Sequence, residues 1–164
     1  MVRKVLPLTF LTCALSAAIV SLGNAQTQTT PPAPQAFSPS FGDMMTMTIQ
    51  PRHIKLWVAG QEKNWVYAAY ELHEMEEALE NVARVRPIYR TSNIAELIAA
   101  TMKAPMDAVA EAIKSANAAK FTEAYAQLTA TCNACHQSTE HAFVVIQVPK
   151  ASSFPDQDFR PAKP

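Results

Sequence analysis

The sequence predicts an all-α protein, built as an antiparallel four-helix bundle with a flexible N-terminal linker and an extended C-terminal tail. Glycine is scarce, with three residues in 164, whereas alanine recurs along the chain, and this composition favours helix. Apolar residues recur at helical spacing in four successive stretches. Because the connections between these stretches are short, neighbouring helices are expected to pack side by side in opposite directions.

The N-terminal segment has the pattern of an export signal. Arg3 and Lys4 precede an apolar run at residues 5–22, and small residues follow, so that cleavage is expected after Ala25. A proline and several polar residues interrupt the run, which favours a removable signal over a retained membrane span. We therefore predict a signal peptide at residues 1–25, a periplasmic location, and no stable membrane insertion after cleavage.

The rest of the chain suits one domain of low net charge. Basic and acidic residues number 14 each, and loss of Arg3 and Lys4 leaves a slight acidic excess. No basic stripe is present, which argues against nucleic-acid binding. Residues 26–40 are rich in Thr, Pro and Gln and predict a disordered linker. The helical domain is expected at residues 41–141 and the tail at residues 142–164.

Capping residues and prolines predict the helix ends. Asp43 is the expected N-cap of the first helix, and Pro51 in its interior predicts a kink. Asn93 and Glu96 have the spacing of a capping box at the start of the third helix. Tryptophans near the first connection are expected to close that end of the bundle; they are Trp57 and Trp65. The predicted helices cover about 43–60, 64–86, 93–116 and 118–140.

The last helix contains the pentapeptide Cys-Asn-Ala-Cys-His at residues 132–136. The pattern Cys-x-x-Cys-His is the site at which haem is covalently attached in c-type cytochromes. Its two thiols add to the vinyl groups of the porphyrin, and its imidazole coordinates the iron. The remaining cysteine, Cys13, falls within the predicted signal. The sequence therefore predicts one haem c, bound covalently by Cys132 and Cys135, with His136 as the proximal iron ligand.

Bundle topology restricts the choice of a sixth iron ligand. The end of the fourth helix would lie beside the start of the first, where Met44, Met45 and Met47 occur. His53 is further along the first helix, roughly 9 to 14 Å away at the rise of an α-helix. We favour Met45 as the distal ligand, with Met47 as the alternative. Methionine also commonly fills cores, in which case the iron would be five-coordinate in an apolar pocket.

Three arginines near the second connection are candidates for contacts with the haem propionates, because guanidinium groups suit carboxylates. They are Arg84, Arg86 and Arg90. The alternative is that they are ordinary solvated charges at a helix C-terminus, where cations are favoured.

The other histidines and the acidic residues of the second helix are expected to be structural. His53 and His73 lack the spacing of metal ligands, so we place them at the edge of the core or in solvent and predict no second metal. His141 is expected to be exposed. A solvated acidic face is predicted at Glu71, Glu74, Glu76, Glu77 and Glu80.

The helix count and the late position of the motif resemble the class II c-type cytochromes, the cytochrome c′ group. The resemblance covers roughly residues 43–141, and its specific content is Cys132, Cys135 and His136. It implies a four-helix bundle around a haem and is compatible with a homodimer. The tail departs from this family. Its apolar stretch at 143–148 is expected to pack over the bundle or the haem edge, with a flexible end as the alternative.

These features predict an exported monohaem c-type cytochrome, a one-electron carrier and not an enzyme, whose partners are redox proteins. The first alternative is a five-coordinate haem protein that binds nitric oxide or carbon monoxide. The second is a Cys-x-x-Cys thiol oxidoreductase or a zinc site. This last class is disfavoured because the sequence lacks a βαβ context and its histidines are scattered.

Overall fold

The structure, a computed structural model, describes residues 37–163. The predicted signal at 1–25 and residues 26–36 of the predicted linker lie outside the described residues. Within the described part the protein is mostly helical, with four helices and little sheet, which confirms the all-α class. None of the helices in this part is both long enough and apolar enough to cross a bilayer.

The first helix, α1, consists of three consecutive parts: Phe41–Met44, a π-helical segment Met45–Ile49, and Gln50–Gln61. Its N-cap is Ser40, whose hydroxyl accepts a hydrogen bond from the Asp43 N–H at 3.1 Å. The Asp43 carboxylate accepts one from the Ser40 N–H at 3.0 Å. The prediction of Asp43 as the N-cap is therefore wrong, since Asp43 is the third helical residue of a capping box.

Helix α1 continues through Pro51 because of the π-helical segment. There the Gln50 N–H donates to the Met45 carbonyl, one residue further back than in an α-helix. Pro51 follows in the first turn of the next α-helical part. A proline lacks an N–H and is best tolerated in a first turn. The wider turn thus accommodates the proline without ending the helix.

Three further helices and one short strand pair follow. Each of the three helices begins after an asparagine whose side-chain oxygen accepts a backbone N–H three residues later; the caps are Asn64, Asn93 and Asn117. The strands pair in antiparallel fashion and were not predicted. The elements are α2 Trp65–Val85, β1 Ile88–Tyr89, β2 Ser92–Asn93, α3 Ile94–Lys114 and α4 Ala118–Ser138.

All four helices contribute to one apolar core. Helix α1 packs on α2, α2 on α3, α3 on α4, and α1 also contacts α4. At one end of this core, the rings of Trp57 and Phe121 stack with centroids 6.1 Å apart, and the rings of Trp65 and Phe121 meet edge to face with centroids 5.8 Å apart. The two tryptophans thus close this end of the core, as the sequence predicts.

Glu71 departs from the solvated face predicted for α2. Its exposure is 1%, and the Arg52 guanidinium on α1 contacts its carboxylate at 3.2 Å. The same guanidinium lies 2.8 Å from the Glu74 carboxylate. A carboxylate is buried in a protein only when a partner compensates its charge. The prediction for Glu71 is therefore wrong, because this buried carboxylate pairs α2 with α1. The last three glutamates of the stretch are exposed, as predicted.

Replacement of Gly60 should test the packing of α1 on α4. A Cβ at Gly60 would overlap the ring of Phe121, which is itself fully buried between the tryptophans. We expect Gly60→Ala to lower the free energy of unfolding by about 1–3 kcal/mol, the usual effect of overpacking. Gly42→Ala is the matched control, since its Cβ would meet only the Ser40 hydroxyl at 4.0 Å. Denaturant unfolding should show the control unchanged or slightly stabilised; equal stability of both variants would contradict this packing.

Candidate functional site

A cavity opens between the beginning of α1, the beginning of α3, the end of α4 and the tail. Its volume, counted as the space that the centre of a water molecule can occupy, is about 150 Å³. Apolar side chains form most of its wall, as is usual for ligand pockets. Six residues whose side chains can bind a metal or a haem line it together, namely Met45, His53, Met102, Cys132, Cys135 and His136.

Helix α4 presents both thiols to the cavity. Cys132 and Cys135 are three residues apart and so lie on one helix face. Both are free and partly exposed. Burial, with a smaller contribution from Cys135, raises the pKa of Cys132 to about 11, and burial also raises the pKa of Cys135. Both groups are therefore neutral thiols at pH 7, unlike the low-pKa thiolates of thiol oxidoreductases.

One ring nitrogen of His136 forms a hydrogen bond with the tail. Its Nδ1 lies 2.7 Å from the carbonyl oxygen of Val144. A carbonyl only accepts hydrogen bonds, so Nδ1 carries the proton and the neutral ring has its lone pair on Nε2. This is the tautomer that can bind a metal through Nε2 while its orientation is fixed by the other nitrogen.

The structure separates the two methionines proposed as distal ligands. Met45 is partly buried and lines the cavity. Met47 has 63% of its surface exposed and is not among the lining residues. Met44 is a core residue with an exposure of 5%. Of the three, Met45 is the methionine that the structure brings together with the cysteines and His136.

His53 lines the same cavity, and its predicted place at the edge of the core or in solvent is wrong. Its exposure is 4%, and its Nε2 lies 3.0 Å from the Thr129 hydroxyl. That hydroxyl donates its proton to the Tyr125 carbonyl at 2.9 Å, so the ring must donate from Nε2 and keep its lone pair on Nδ1. Burial lowers the pKa of His53 to about 4. The sequence signal that could have placed His53 in this cavity is its spacing, since it follows Met45 by eight residues on the same helix.

None of the three candidate propionate residues lines the cavity. Arg86 donates hydrogen bonds to the carbonyls of Ser38 at 3.1 Å and Pro39 at 2.7 Å, and thereby holds the segment before α1. Arg90 forms an ion pair with Glu140. Arg84 is exposed. Two of the three guanidinium groups thus have partners within the chain.

His141 links the strand pair to the end of α4 by hydrogen bonds. The prediction that His141 is exposed is wrong. It is partly buried, and its Nδ1 donates to the Thr139 carbonyl at 2.7 Å. Its Nε2 therefore accepts the hydroxyl proton of Tyr89 at 3.1 Å. The Tyr89 ring stacks on Phe41 at 4.3 Å, which adds the beginning of α1 to this contact.

The tail lies against the helices, which is the first of the two arrangements considered from the sequence. Val144 and Ile146 line the cavity. The Asn133 side chain forms two hydrogen bonds with the backbone of Ile146, donating to its carbonyl at 2.9 Å and accepting from its N–H at 2.7 Å. Further along, Phe159 has an exposure of 5% and stacks on Tyr67 with centroids 5.5 Å apart. No sequence pattern indicated that Asn133 would hold the tail.

Acidification should destabilise the fold through His53. Its pKa is about 4 when folded and near 6.5 when unfolded, so only the unfolded chain binds the proton between these values. The free energy of unfolding should therefore fall by up to about 3 kcal/mol as pH drops from 6.5 to 4. The titratable groups packed nearby, Tyr125 and Cys132, stay neutral there because burial raises the pKa of each.

Unfolding measured across this pH range should show a weaker dependence for His53→Gln than for the unmodified chain. The control is His73→Gln, because the His73 side chain is 63% exposed. If both variants kept the full pH dependence, another group would be responsible.

Among residues 37–163, no group of three or more His, Cys, Asp and Glu side chains is arranged to hold a bare metal ion. The cavity instead offers two neutral thiols, two imidazole rings and two thioether sulfurs. Comparison of the chain with models of known protein families, with curated proteins and with solved structures finds no match.

Proposed function

We propose that the protein is an exported monohaem c-type cytochrome that carries single electrons between redox proteins, and is not an enzyme. One observation carries the proposal: Cys132, Cys135, His136 and Met45 line a single apolar cavity. The Cys-x-x-Cys-His pattern alone could occur by chance. Its convergence with a second ligand from another helix supports the haem interpretation.

The proposal includes an antiparallel four-helix bundle. Met45, near the beginning of α1, shares a cavity with His136, near the end of α4. Gly60, at the end of α1, lies against Phe121, at the beginning of α4. These two contacts are expected when α1 and α4 run in opposite directions. Such bundles commonly build cofactor sites from side chains on facing helices.

The residues present fit a haem. Cys132 and Cys135 would form its two thioether bonds, His136 would coordinate the iron through Nε2, and Met45 would coordinate it through sulfur. When bound, haem would supply an iron that accepts one electron from a donor protein and passes it to an acceptor, cycling between the ferric and ferrous states. Apolar side chains such as Leu79, Ile94 and Ile98 line the cavity and would surround the haem. A thioether ligand and an apolar surrounding both raise a reduction potential.

The predicted signal at residues 1–25 agrees with this assignment. In bacteria, haem is attached covalently to c-type cytochromes outside the cytoplasm, so the polypeptide must first be exported. We therefore propose a periplasmic location. Partners are other redox proteins, and a homodimer is compatible with the resemblance to class II cytochromes.

Covalent attachment is the first test. The full-length chain, expressed in a bacterium that matures c-type cytochromes, should gain the mass of one haem that survives acid extraction. Cys132→Ala and Cys135→Ala should each lose one thioether bond, whereas Cys13→Ala should keep both, since Cys13 lies in the predicted signal. A mature chain with two free thiols and no added mass would contradict the proposal.

Spectroscopy tests the distal ligand. The reduced protein should be low-spin and slow to bind carbon monoxide if Met45 is bound. Met45→Ala should become high-spin and bind carbon monoxide rapidly, whereas Met47→Ala should behave as the unmodified protein, since Met47 lies outside the cavity wall. A high-spin spectrum and rapid carbon monoxide binding before any substitution would instead indicate the five-coordinate, gas-binding alternative.

A further inference from the structure

We propose that the C-terminal tail is a strap that positions the proximal histidine: the Val144 carbonyl fixes the tautomer and orientation of His136, and the Asn133 side chain holds that carbonyl in place. This inference rests on the proposed haem function, and it assigns a role to a segment that the family resemblance does not explain. Asn133 and Val144 are positioning residues, since neither would touch the iron.

The tail begins with a turn at residues 142–143, and the side chains that follow it alternate in their surroundings. Val144 and Ile146 line the cavity, and Val148 packs against the core. Phe143 and Val145 are 80% and 65% exposed, more than Val144 at 39%. An extended chain places alternate side chains on opposite sides. One side of the tail therefore covers the cavity while its backbone passes beside His136.

Asn133 sets the register between the tail and the motif. Its amide pairs with both the N–H and the carbonyl of Ile146, at 2.7 Å and 2.9 Å. We call this pair of bonds the Asn133 clasp. Asn133 occupies a variable position of Cys-x-x-Cys-His, so the clasp is not required for the motif itself. Because Ile146 is two residues after Val144, the clasp determines where the Val144 carbonyl lies.

Contacts further along keep the tail in place. The Lys55 ammonium lies 4.6 Å from the ring centre of Phe154, a cation–π distance. The Asn64 side chain donates to the carbonyls of Phe159 and Arg160, both at 3.1 Å. Asn64 is also the N-cap of α2. The tail is thus fixed both beside the cavity and at the beginning of α2, so Val144 is not part of a free end.

The hydrogen bond from His136 Nδ1 has a chemical consequence. Donation of this proton to a carbonyl makes the opposite nitrogen a stronger electron donor and fixes the ring plane. A stronger donor favours the ferric over the ferrous state, and so lowers the reduction potential. The tail should therefore lower the potential that the His/Met ligand pair would give without it.

Asn133→Ala tests the strap and leaves Cys-x-x-Cys-His intact. We expect haem to be attached normally, the reduction potential to rise, and hydrogen exchange at the Ile146 amide to become faster. In a Met45→Ala background, which exposes a five-coordinate ferrous iron, the iron–histidine stretching frequency should fall. Gln147→Ala is the control, because Gln147 is an exposed residue of the same segment.

Asn133→Asp provides a second variant, which retains the acceptor for the Ile146 N–H but loses the donor to the Ile146 carbonyl. Its potential should lie between those of the alanine variant and the unmodified protein. The strap is overturned if Asn133→Ala attaches haem and speeds exchange at Ile146 while the potential and the iron–histidine frequency stay unchanged. Unchanged exchange at Ile146 would overturn the clasp itself. Failure of the proposed function can be distinguished from failure of the strap, because in that case even the unmodified chain would gain no haem.

Discussion

One apolar stripe along α4 joins the core of the protein to its cavity, and most other features depend on it. Phe121, Tyr125 and Leu128 are fully buried in the core. The same helical spacing continues to Cys132 and Cys135, which line the cavity. A residue three or four positions further along a helix stays on the same face. Burial of the first part of the stripe therefore orients the thiols inward.

Buried polar contacts fix how the neighbouring helices are aligned with this stripe. The Tyr125 hydroxyl donates to the His53 carbonyl at 2.6 Å, and the His53 ring donates to Thr129. Apolar packing tolerates small shifts, whereas a buried donor that loses its acceptor costs about 1–3 kcal/mol. The α1–α4 contact is thus held in one register. Because Met45 lies on α1 and the motif on α4, this register also determines which of the α1 methionines faces the cavity.

Periodicity and caps made most of the helices predictable, but they did not predict which polar side chains are buried or which partners they contact. Asn93 caps the third helix as predicted, the second helix begins close to its predicted start, and the motif lies late on the last helix. Glu71 and His53 were misplaced because their burial depends on partners distant in sequence, Arg52 in one case and Thr129 in the other. A pattern within one helix carries no information about a residue on another.

The two sides of the cavity are built differently, and hydrogen bonding explains why. A carbonyl inside a helix already accepts from an N–H and points along the axis, so a helix face offers few acceptors to a neighbour. An extended segment leaves its carbonyls free. Met45 needs no acceptor and can come from a helix, whereas the Nδ1 proton of His136 does need one and finds it at Val144. A non-helical segment beside the motif is therefore the simplest way to orient this histidine.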